Sequence, residues 1–252
     1  SNWIGFAVRA GRLATRLSQE QSFDLVHFLD AHFAWTFQGR YVASLFQSFR
    51  QRATSDGSLP YHSSAANLVG RFVYYHLARL VPERRAVRRA TALIASSQAT
   101  ADEFTTHYGV PRQRVTVVPL GIDTDFFRPI PRSQTPARQA LGLAADERVL
   151  LYVGFSTPRK GLEILAQALP LLESRPKVLI AGKWEEGYRR KVMDALGPHH
   201  DQVLELGYVP DADLPNLYAA ADLFLFPSLL EGFGLPPVEA MACGLVPVST
   251  DE

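Results

Sequence analysis

Two carboxylates, a glycine-rich loop and a helix start lie within one short segment of the chain. In Pro227–Thr250, PSLLEGFGLPPVEAMACGLVPVST, Glu231 precedes Gly232-Phe233-Gly234, and Glu239 follows on the next predicted helix. Glycines let a backbone bend closely around a ligand, and the free N–H groups of a helix start attract an anion. The two carboxylates accept hydrogen bonds from hydroxyl groups on either side of that anion. The segment predicts a site for sugar, phosphate and ribose; the alternative is a loose turn in which Glu239 only favours the helix dipole.

Strands alternating with helices must position this segment within the second half of the chain. Such alternation indicates βαβ units and a parallel sheet covered on both faces. Ligands of these sheets bind beyond the carboxyl ends of the strands, so the loops after Gly154, Gly182, Gly207 and Phe226 are expected around one crevice. The predicted strands are Val149–Gly154, Lys177–Gly182, Val203–Gly207, Asp222–Phe226 and Leu245–Ser249. The predicted helices include one with Leu162, Leu165, Leu169 and Leu172 on one face, then Glu186–Leu196, Asp211–Ala220 and one from Pro236 to Gly244.

The first half is also α/β but less regular. Its predicted strands are Asp24–Phe28, Tyr41–Phe46, Ala92–Ala95 and Val115–Val118. Helices are predicted over 8–19, over 63–90 with a kink at Pro82, and over Ser97–Tyr108 with Ser96 or Ser97 as its cap. Three prolines in residues 129–136 indicate a linker. We therefore expect two domains, 1–129 and 130–252, both incomplete because the chain begins in a helix and ends just after a strand.

The segment EGFGLPPVEAMACG resembles the E-x7-E signature of retaining glycosyltransferases of family 4, which have the GT-B fold. Other pieces of the family pattern occur in the family's order, so that the resemblance covers about residues 20–252. These pieces are Ala95-Ser96-Ser97, Val118–Asp123 with Phe127, Leu151–Gly154 with Lys160-Gly161, and Gly207-Tyr208-Val209 with Leu217-Tyr218. The resemblance implies an α/β protein of two Rossmann-like domains whose parallel sheets face each other across a cleft.

The resemblance also implies roles for individual residues. Glu231 would contact the hydroxyls of the donor sugar, Glu239 would contact the ribose, and Lys160 would neutralise the departing diphosphate. A fixed cation with aimed N–H groups stabilises such developing charge. The remaining donor-binding residues would be Gly154, Gly182, Tyr208, Val209, Phe233, Gly234 and Leu235.

This sequence departs from the family pattern at two places. Phe155 stands where the family often has Arg, so Arg159 is either the second cation or a solvated side chain. Gln47 stands where the family commonly has a His near the reacting sugar. His27 and His32 are the alternatives on the acceptor side, although a lone His is more often structural. The leaving diphosphate itself can take the acceptor's proton, so the resemblance requires no protein base.

The predicted activity is metal-independent, retaining transfer from a nucleotide-diphosphate sugar to the hydroxyl of a glycan or lipid-linked acceptor. The turn Thr157–Gly161 resembles bacterial mannosyl- and rhamnosyltransferases of cell-surface polysaccharide assembly, which favours GDP-mannose as the donor and polysaccharide or glycolipid assembly as the role. Two alternatives stay open. One is a GT-B epimerase that acts on a nucleotide sugar without an acceptor, and the other is a non-catalytic module that binds nucleotide sugars.

No metal site or cofactor is predicted. Asp123-Thr124-Asp125 and Asp211-Ala212-Asp213 spell D-x-D, but turn and helix-cap roles explain both pairs. His199-His200 has no acidic or thiolate neighbours in sequence, and adjacent histidines alone are weak evidence for a metal. The single cysteine, Cys243, excludes an internal disulfide and any site with several cysteine ligands.

The net charge of +1 hides an asymmetry between the two halves. Residues 1–130 hold 15 Arg, no Lys and 9 acids, whereas residues 131–252 carry a net charge of −5. Residues 71–90 are basic and aromatic, which favours either peripheral contact with an anionic membrane or a solvated arginine face over a buried apolar one. Near-neutral total charge argues against nucleic acid. With no apolar run near about 18 residues and no signal peptide, we expect a cytoplasmic protein; association with the inner face of the membrane is the first of the two alternatives for residues 71–90.

Overall fold

The chain forms two compact units. The computed structural model describes residues 3–52, 69–70, 73–74, 76–77, 79–131, 133 and 135–250. The first unit comprises Ser1–Leu120 with Glu231–Phe233, and the second comprises Gly121–Leu230 with Gly234–Glu252. The domain boundary that the sequence predicts, between residues 129 and 130, stays a prediction.

The first unit contains a parallel sheet of four strands in the order β1-β2-β3-β4. The strands are β1 (His27–Phe28), β2 (Val42–Leu45), β3 (Ala92–Ala95) and β4 (Val115–Val117). All four predicted strands are present, and β1 is shorter than predicted because its pairing with β2 begins only at His27 opposite Val42. Leu25, two residues before β1, is 63% exposed and has no core to face.

Helices pack against this sheet, and a serine and a glycine mark the two ends of one of them. They are α1 (Trp3–Glu20), α2 (Arg84–Arg89) and α3 (Gln98–Tyr108). Ser97 is the cap of α3, since its side chain accepts a hydrogen bond from the Thr100 N–H. Gly109 ends α3 with a φ of 65°. The helices and strands enclose one apolar core whose largest members include Phe28, Phe37, Tyr41, Leu93 and Phe104.

The predicted helix over 63–90 lies partly outside the described residues, which omit 53–68, 71, 72, 75 and 78. The described part contains a π-helical turn, Arg79–Glu83, around Pro82 and then α2. Proline lacks an N–H and crowds the carbonyl four residues before it, so the predicted break at Pro82 is confirmed. In α2, Ala86 and Val87 are buried, whereas all four arginines are exposed. This is the arrangement of a solvated arginine face, and contact with a membrane stays a prediction.

The second unit contains a parallel sheet of five strands in the order β7-β6-β5-β8-β9. The strands are β5 (Val149–Val153), β6 (Lys177–Ala181), β7 (Val203–Gly207), β8 (Leu223–Phe226) and β9 (Val246–Ser249). The helices are α4 (Ala137–Ala140), α5 (Leu162–Ala168), α6 (Tyr188–Leu196), α7 (Leu214–Ala220) and α8 (Leu235–Ala242). Successive β5 residues alternate between two buried clusters, Leu151 in one and Leu150 in the other, so both faces of the sheet are covered. The predicted α/β class with two parallel sheets is confirmed.

Prolines mark the places where two helices of the second unit differ from the sequence prediction. The α5 helix ends at Ala168, and a short 3-10 turn containing Pro170 follows it. Leu172 was expected on the buried face but is 44% exposed, because the proline ends the helical spacing first. The α8 helix starts at Leu235, one residue before the first of its two prolines.

A buried carboxyl group lies at the junction of helices and loops in the first unit. Glu83 is 2% exposed and accepts hydrogen bonds from the Phe49 N–H, at 3.0 Å to Oε2, and from the Tyr108 hydroxyl. Burial raises the pKa of Glu83 from 4.5 to about 8, although these two hydrogen bonds oppose the rise. The folded protein therefore favours the protonated carboxyl.

A carboxyl whose pKa is raised by folding makes stability depend on pH. The contribution of Glu83 to the free energy of unfolding is complete below 4.5, the pKa of this carboxyl in the unfolded chain, and is lost as the pH rises through about 8. Relative to Glu83→Gln, which stays neutral, we expect the wild-type free energy of unfolding to fall by about 4 kcal/mol from about pH 5 to about pH 9. Chemical denaturation of both proteins across this range measures it. If the free energies of unfolding of the wild type and Glu83→Gln changed in parallel with pH, the pKa of Glu83 would not be raised by folding.

Candidate functional site

Three glycines bring the loops of the second unit together at the carboxyl ends of β5, β6 and β7. The Gly154 N–H donates to the Ala181 carbonyl at 2.9 Å, and the Gly182 N–H donates to the Gly207 carbonyl at 2.6 Å. A Cβ added at Gly182 would lie 1.9 Å from the Gly154 carbonyl oxygen. Only glycine permits this approach, which explains the glycine that follows β6.

A cavity of about 330 Å³ opens beside these strand ends. Four predicted donor-binding residues line it together: Gly154, Gly182, Tyr208 and Val209. The other lining residues, which the sequence did not predict for the site, include Phe155, Lys183 and Asp211. The Lys183 ammonium lies 5.8 Å from the centroid of the Tyr208 ring, a cation–π contact. The loops after Gly154, Gly182 and Gly207 thus border one cavity, as expected, whereas none of the described residues of the loop after Phe226 lines it. Contact of the cavity with a nucleotide base stays a prediction.

The turn that carries Lys160 is joined to the loop after β8. It is a 3-10 turn, Pro158–Lys160, followed by Gly161. The Leu229 N–H donates to the Arg159 carbonyl at 2.8 Å, and the Arg159 Nη1 lies 3.4 Å from the Leu230 carbonyl. A Cβ at Gly161 would lie 1.9 Å from the Pro227 carbonyl oxygen. Arg159 therefore has a contact that holds the loop, and its proposed role as a second cation stays a prediction.

The ring of Phe226 lies between Lys160 and the start of α8. The Lys160 ammonium is 5.4 Å from the centroid of the ring, and a Cβ at Gly234 would lie 3.3 Å from two carbons of the same ring. Phe226 is 7% exposed, so the ring is a fixed support. The sequence pattern indicates Phe226 only as the end of a strand. An aromatic residue at the last position of a strand that leads into the loop was the available signal.

The start of α8 offers fewer N–H donors than its sequence first suggests. An α-helix leaves the N–H groups of its cap and its first three residues without intrahelical partners. At α8 these positions are Gly234, Leu235, Pro236 and Pro237, and the two prolines have no N–H. The donors are therefore those of Gly234 and Leu235, the two helix-start residues predicted to touch the donor.

The segment Glu231–Phe233 groups with the first unit. The Ser96 hydroxyl donates to the Gly232 carbonyl at 3.1 Å, within that unit. Gln47 lies beside the same glycine, since its Cγ is 3.6 Å from the position that a Gly232 Cβ would take. The structure thus places Gln47 next to the segment that carries Glu231, while the roles of both side chains stay predictions.

The two acceptor-side histidines have partners inside the first unit. His27 Nε2 lies 2.9 Å from the Ser44 hydroxyl on β2. His32 is 6% exposed, and its Nδ1 lies 2.6 Å from Asp30 Oδ1. These contacts favour structural roles, and an acceptor contact of either side chain stays a prediction.

Within the part of the chain that the structure describes, no three His, Cys, Asp or Glu side chains group as metal ligands would. Asp123 Oδ1 instead accepts hydrogen bonds from the Asp125 and Phe126 N–H groups, which is a turn role. Asp213 precedes α7, but its side chain makes no cap hydrogen bond. His199 and His200 make only local contacts, with Gln202 and the Gly197 carbonyl. The absence of a metal requirement stays a prediction.

None of the helices among the described residues combines the length and the apolar character needed to cross a membrane.

Comparison with known proteins identifies the family. Residues 133–252 match the family model described as "Glycosyl transferases group 1". Residues 2–126 match the one described as "Glycosyltransferase Family 4". The two matches together span nearly the whole chain, and the chain belongs to the family-4 glycosyltransferases of the GT-B fold.

Individual relatives agree with this family. The chain is 36% identical over 165 residues to O-antigen chain mannosyltransferase B of Escherichia coli, a match covering 63% of this chain and 42% of that protein. It is 35% identical over 183 residues to D-inositol 3-phosphate glycosyltransferase of Thermobispora bispora, covering 66% and 41%. The matches thus span about two fifths of these relatives' own lengths. Anabaena HepE, solved in complex with UDP and glucose, superimposes with a TM-score of 0.69 at 25% identity, covering 96% of this chain and 64% of HepE.

Substitution of Gly182, the glycine that follows β6, tests whether close backbone contact brings the loops together at the cavity. We expect Gly182→Ala to cost about 3 kcal/mol or more, because the methyl group would overlap the Gly154 carbonyl and the φ of 131° suits only glycine. Gly187→Ala is the matched control, with a φ of 81° but open space around it, and should cost about 1–2 kcal/mol. Thermal and denaturant unfolding measure both. Equal losses of stability in the two variants would mean that the close approach of Gly182 to the Gly154 carbonyl is not essential for the arrangement of the loops.

Proposed function

We propose that this chain belongs to an enzyme that transfers a sugar from a nucleotide-diphosphate donor to an acceptor hydroxyl, with retention of configuration and without a metal. The observation that carries the proposal is the arrangement in the second unit. A strand-end cavity, a lysine supported on an aromatic ring, and a helix start with two available N–H groups are built on one sheet edge. The family membership points to the same chemistry.

The donor half of the site has the charges that the reaction needs. As the bond from the sugar to the diphosphate breaks, negative charge grows on the leaving diphosphate. Lys160 and the N–H groups of Gly234 and Leu235 would stabilise that charge, and their positions are fixed before the reaction starts. Glu239 would hold the ribose, and Glu231 the hydroxyls of the transferred sugar.

Retention of configuration needs no protein nucleophile in this proposal. The acceptor oxygen attacks on the face from which the diphosphate leaves, and a diphosphate oxygen takes the acceptor's proton. This route suits a chain in which Gln47 replaces the family's His, because no side chain has to act as the base.

We further propose mannose as the transferred sugar and guanosine diphosphate as its carrier. The relative from E. coli is a mannosyltransferase of O-antigen chains, and the turn around Lys160 resembles such enzymes. Its name also supports a glycan or lipid-linked acceptor in cell-surface polysaccharide assembly. HepE, in contrast, was solved with UDP, so the base must be established by experiment.

The experiment that tests the proposal is a calorimetric titration of the chain with GDP, UDP and ADP and with their sugar conjugates. We expect selective binding of one nucleotide, strengthened by the correct sugar. Transfer to an added acceptor distinguishes this enzyme from an epimerase, which would release an altered sugar without an acceptor. No binding of any nucleotide by the folded protein would contradict the proposal.

Removal of the Glu231 carboxylate should affect catalysis and spare the fold. We expect Glu231→Ala to lose about 2–4 kcal/mol of transition-state stabilisation, because a loop carboxylate adds little to the core. Glu173→Ala removes an exposed carboxylate from a different loop and should leave kcat/KM unchanged. Steady-state kinetics and thermal unfolding of the enzyme measure both effects. A Glu231→Ala protein with near-normal kcat would remove Glu231 from the site.

A further inference from the structure

A buried tyrosine holds the carboxylate of Glu239. Tyr218, on α7, is 1% exposed, and its hydroxyl donates to Glu239 Oε2 on α8 at 2.7 Å. The same hydroxyl lies 3.4 Å from the Pro236 carbonyl, a much weaker contact. Among the described residues, Tyr218 is the only hydrogen-bond partner of the Glu239 carboxylate. The position of that carboxylate therefore depends on one phenol group.

The tyrosine ring is itself fixed by the core of the second unit. Its centroid lies 5.6 Å from that of Phe224, on β8, and 6.1 Å from that of Phe127. Aromatic neighbours at these distances pack tightly and leave a buried ring little freedom to rotate away. Because the ring is fixed in the core, its hydroxyl holds the half-buried Glu239 carboxylate at a fixed position.

The Tyr218 phenol and the nearby Cys243 thiol both stay protonated, so the phenol is the donor of this hydrogen bond. Burial, together with the hydrogen bond and charge of Glu239, raises the pKa of Tyr218 well above its usual value. Burial and the charge of Glu239 also raise the pKa of the Cys243 thiol to about 11. At neutral pH both groups are uncharged, so the phenol is always the donor and the carboxylate the acceptor.

We propose that Tyr218 is a positioning residue that orients Glu239 to accept a hydrogen bond from a ribose hydroxyl of the donor. Tyr218 occupies Oε2, and Oε1 is left for the ribose. A carboxylate held at one oxygen presents the other at a fixed place, which lowers the ordering cost when the ligand binds. The inference rests on the proposed function, because it needs a nucleotide at this site.

The test compares nucleotides that differ by one hydroxyl group. GDP, UDP and ADP, each with its 2′-deoxy and 3′-deoxy counterparts, are titrated into the wild-type protein and into Tyr218→Phe. For the nucleotide that binds, we expect the wild type to prefer the ribose form over one deoxy form by about tenfold, the strength of a hydrogen bond to a charged group. In Tyr218→Phe that preference should fall to about twofold, while the deoxy form binds as it does to the wild type.

Two further variants keep the result interpretable. Tyr188→Phe removes another buried phenol of the second unit, on α6 and in the other core cluster, and should retain the full preference. Glu239→Asp leaves Tyr218 intact but shortens the carboxylate side chain by one methylene, and should also lose the preference. This second variant keeps the test decisive if Tyr218→Phe folds poorly.

The outcomes separate this inference from the proposed function. A wild type that binds none of the nucleotides overturns both. The positioning role is overturned if Tyr218→Phe keeps the full preference for the ribose form. It is also overturned if the substitution weakens binding of the ribose and deoxy forms by the same factor. Either result leaves the donor site in place. If Tyr218→Phe is unfolded and Glu239→Asp keeps the preference, the role of Tyr218 is likewise excluded.

Discussion

Close contact between backbones at the carboxyl edge of the second sheet is the constraint on which the site depends. The Gly182 backbone lies against the Gly154 carbonyl, and the Gly161 backbone lies against that of Pro227. Any side chain at either glycine would separate the loops. The parallel arrangement of the strands brings these loops to one edge, and the missing side chains let them converge into a cavity.

Aromatic rings contact three of the charged groups in the second unit. The Lys160 ammonium lies over Phe226, and the Lys183 ammonium lies over Tyr208. The ring of Tyr218 places a hydroxyl on Glu239. A ring attracts a cation without cancelling its charge, and a phenol donates to a carboxylate without neutralising it. Such contacts help to fix charged groups in place without neutralising them.

The chemistry of proline shapes both units. Pro82 interrupts a helix in the first unit with a π-helical turn, and the residue after it, Glu83, is the buried carboxyl. Pro170 ends α5 and leaves Leu172 exposed. At α8, two successive prolines remove two N–H groups from the helix start, which concentrates the available donors at Gly234 and Leu235.

The sequence by itself determined the strands of both sheets, a serine cap at either Ser96 or Ser97, the break at Pro82 and the family. Those features follow from local patterns of apolar residues, proline, glycine and serine, which act over a few positions of the chain. Only the tertiary structure decided which side chains meet. Phe226 with Lys160 and Tyr218 with Glu239 are pairs distant in sequence. Their contacts arise because parallel strands and packed helices bring distant residues to one edge, and no local spacing encodes that meeting.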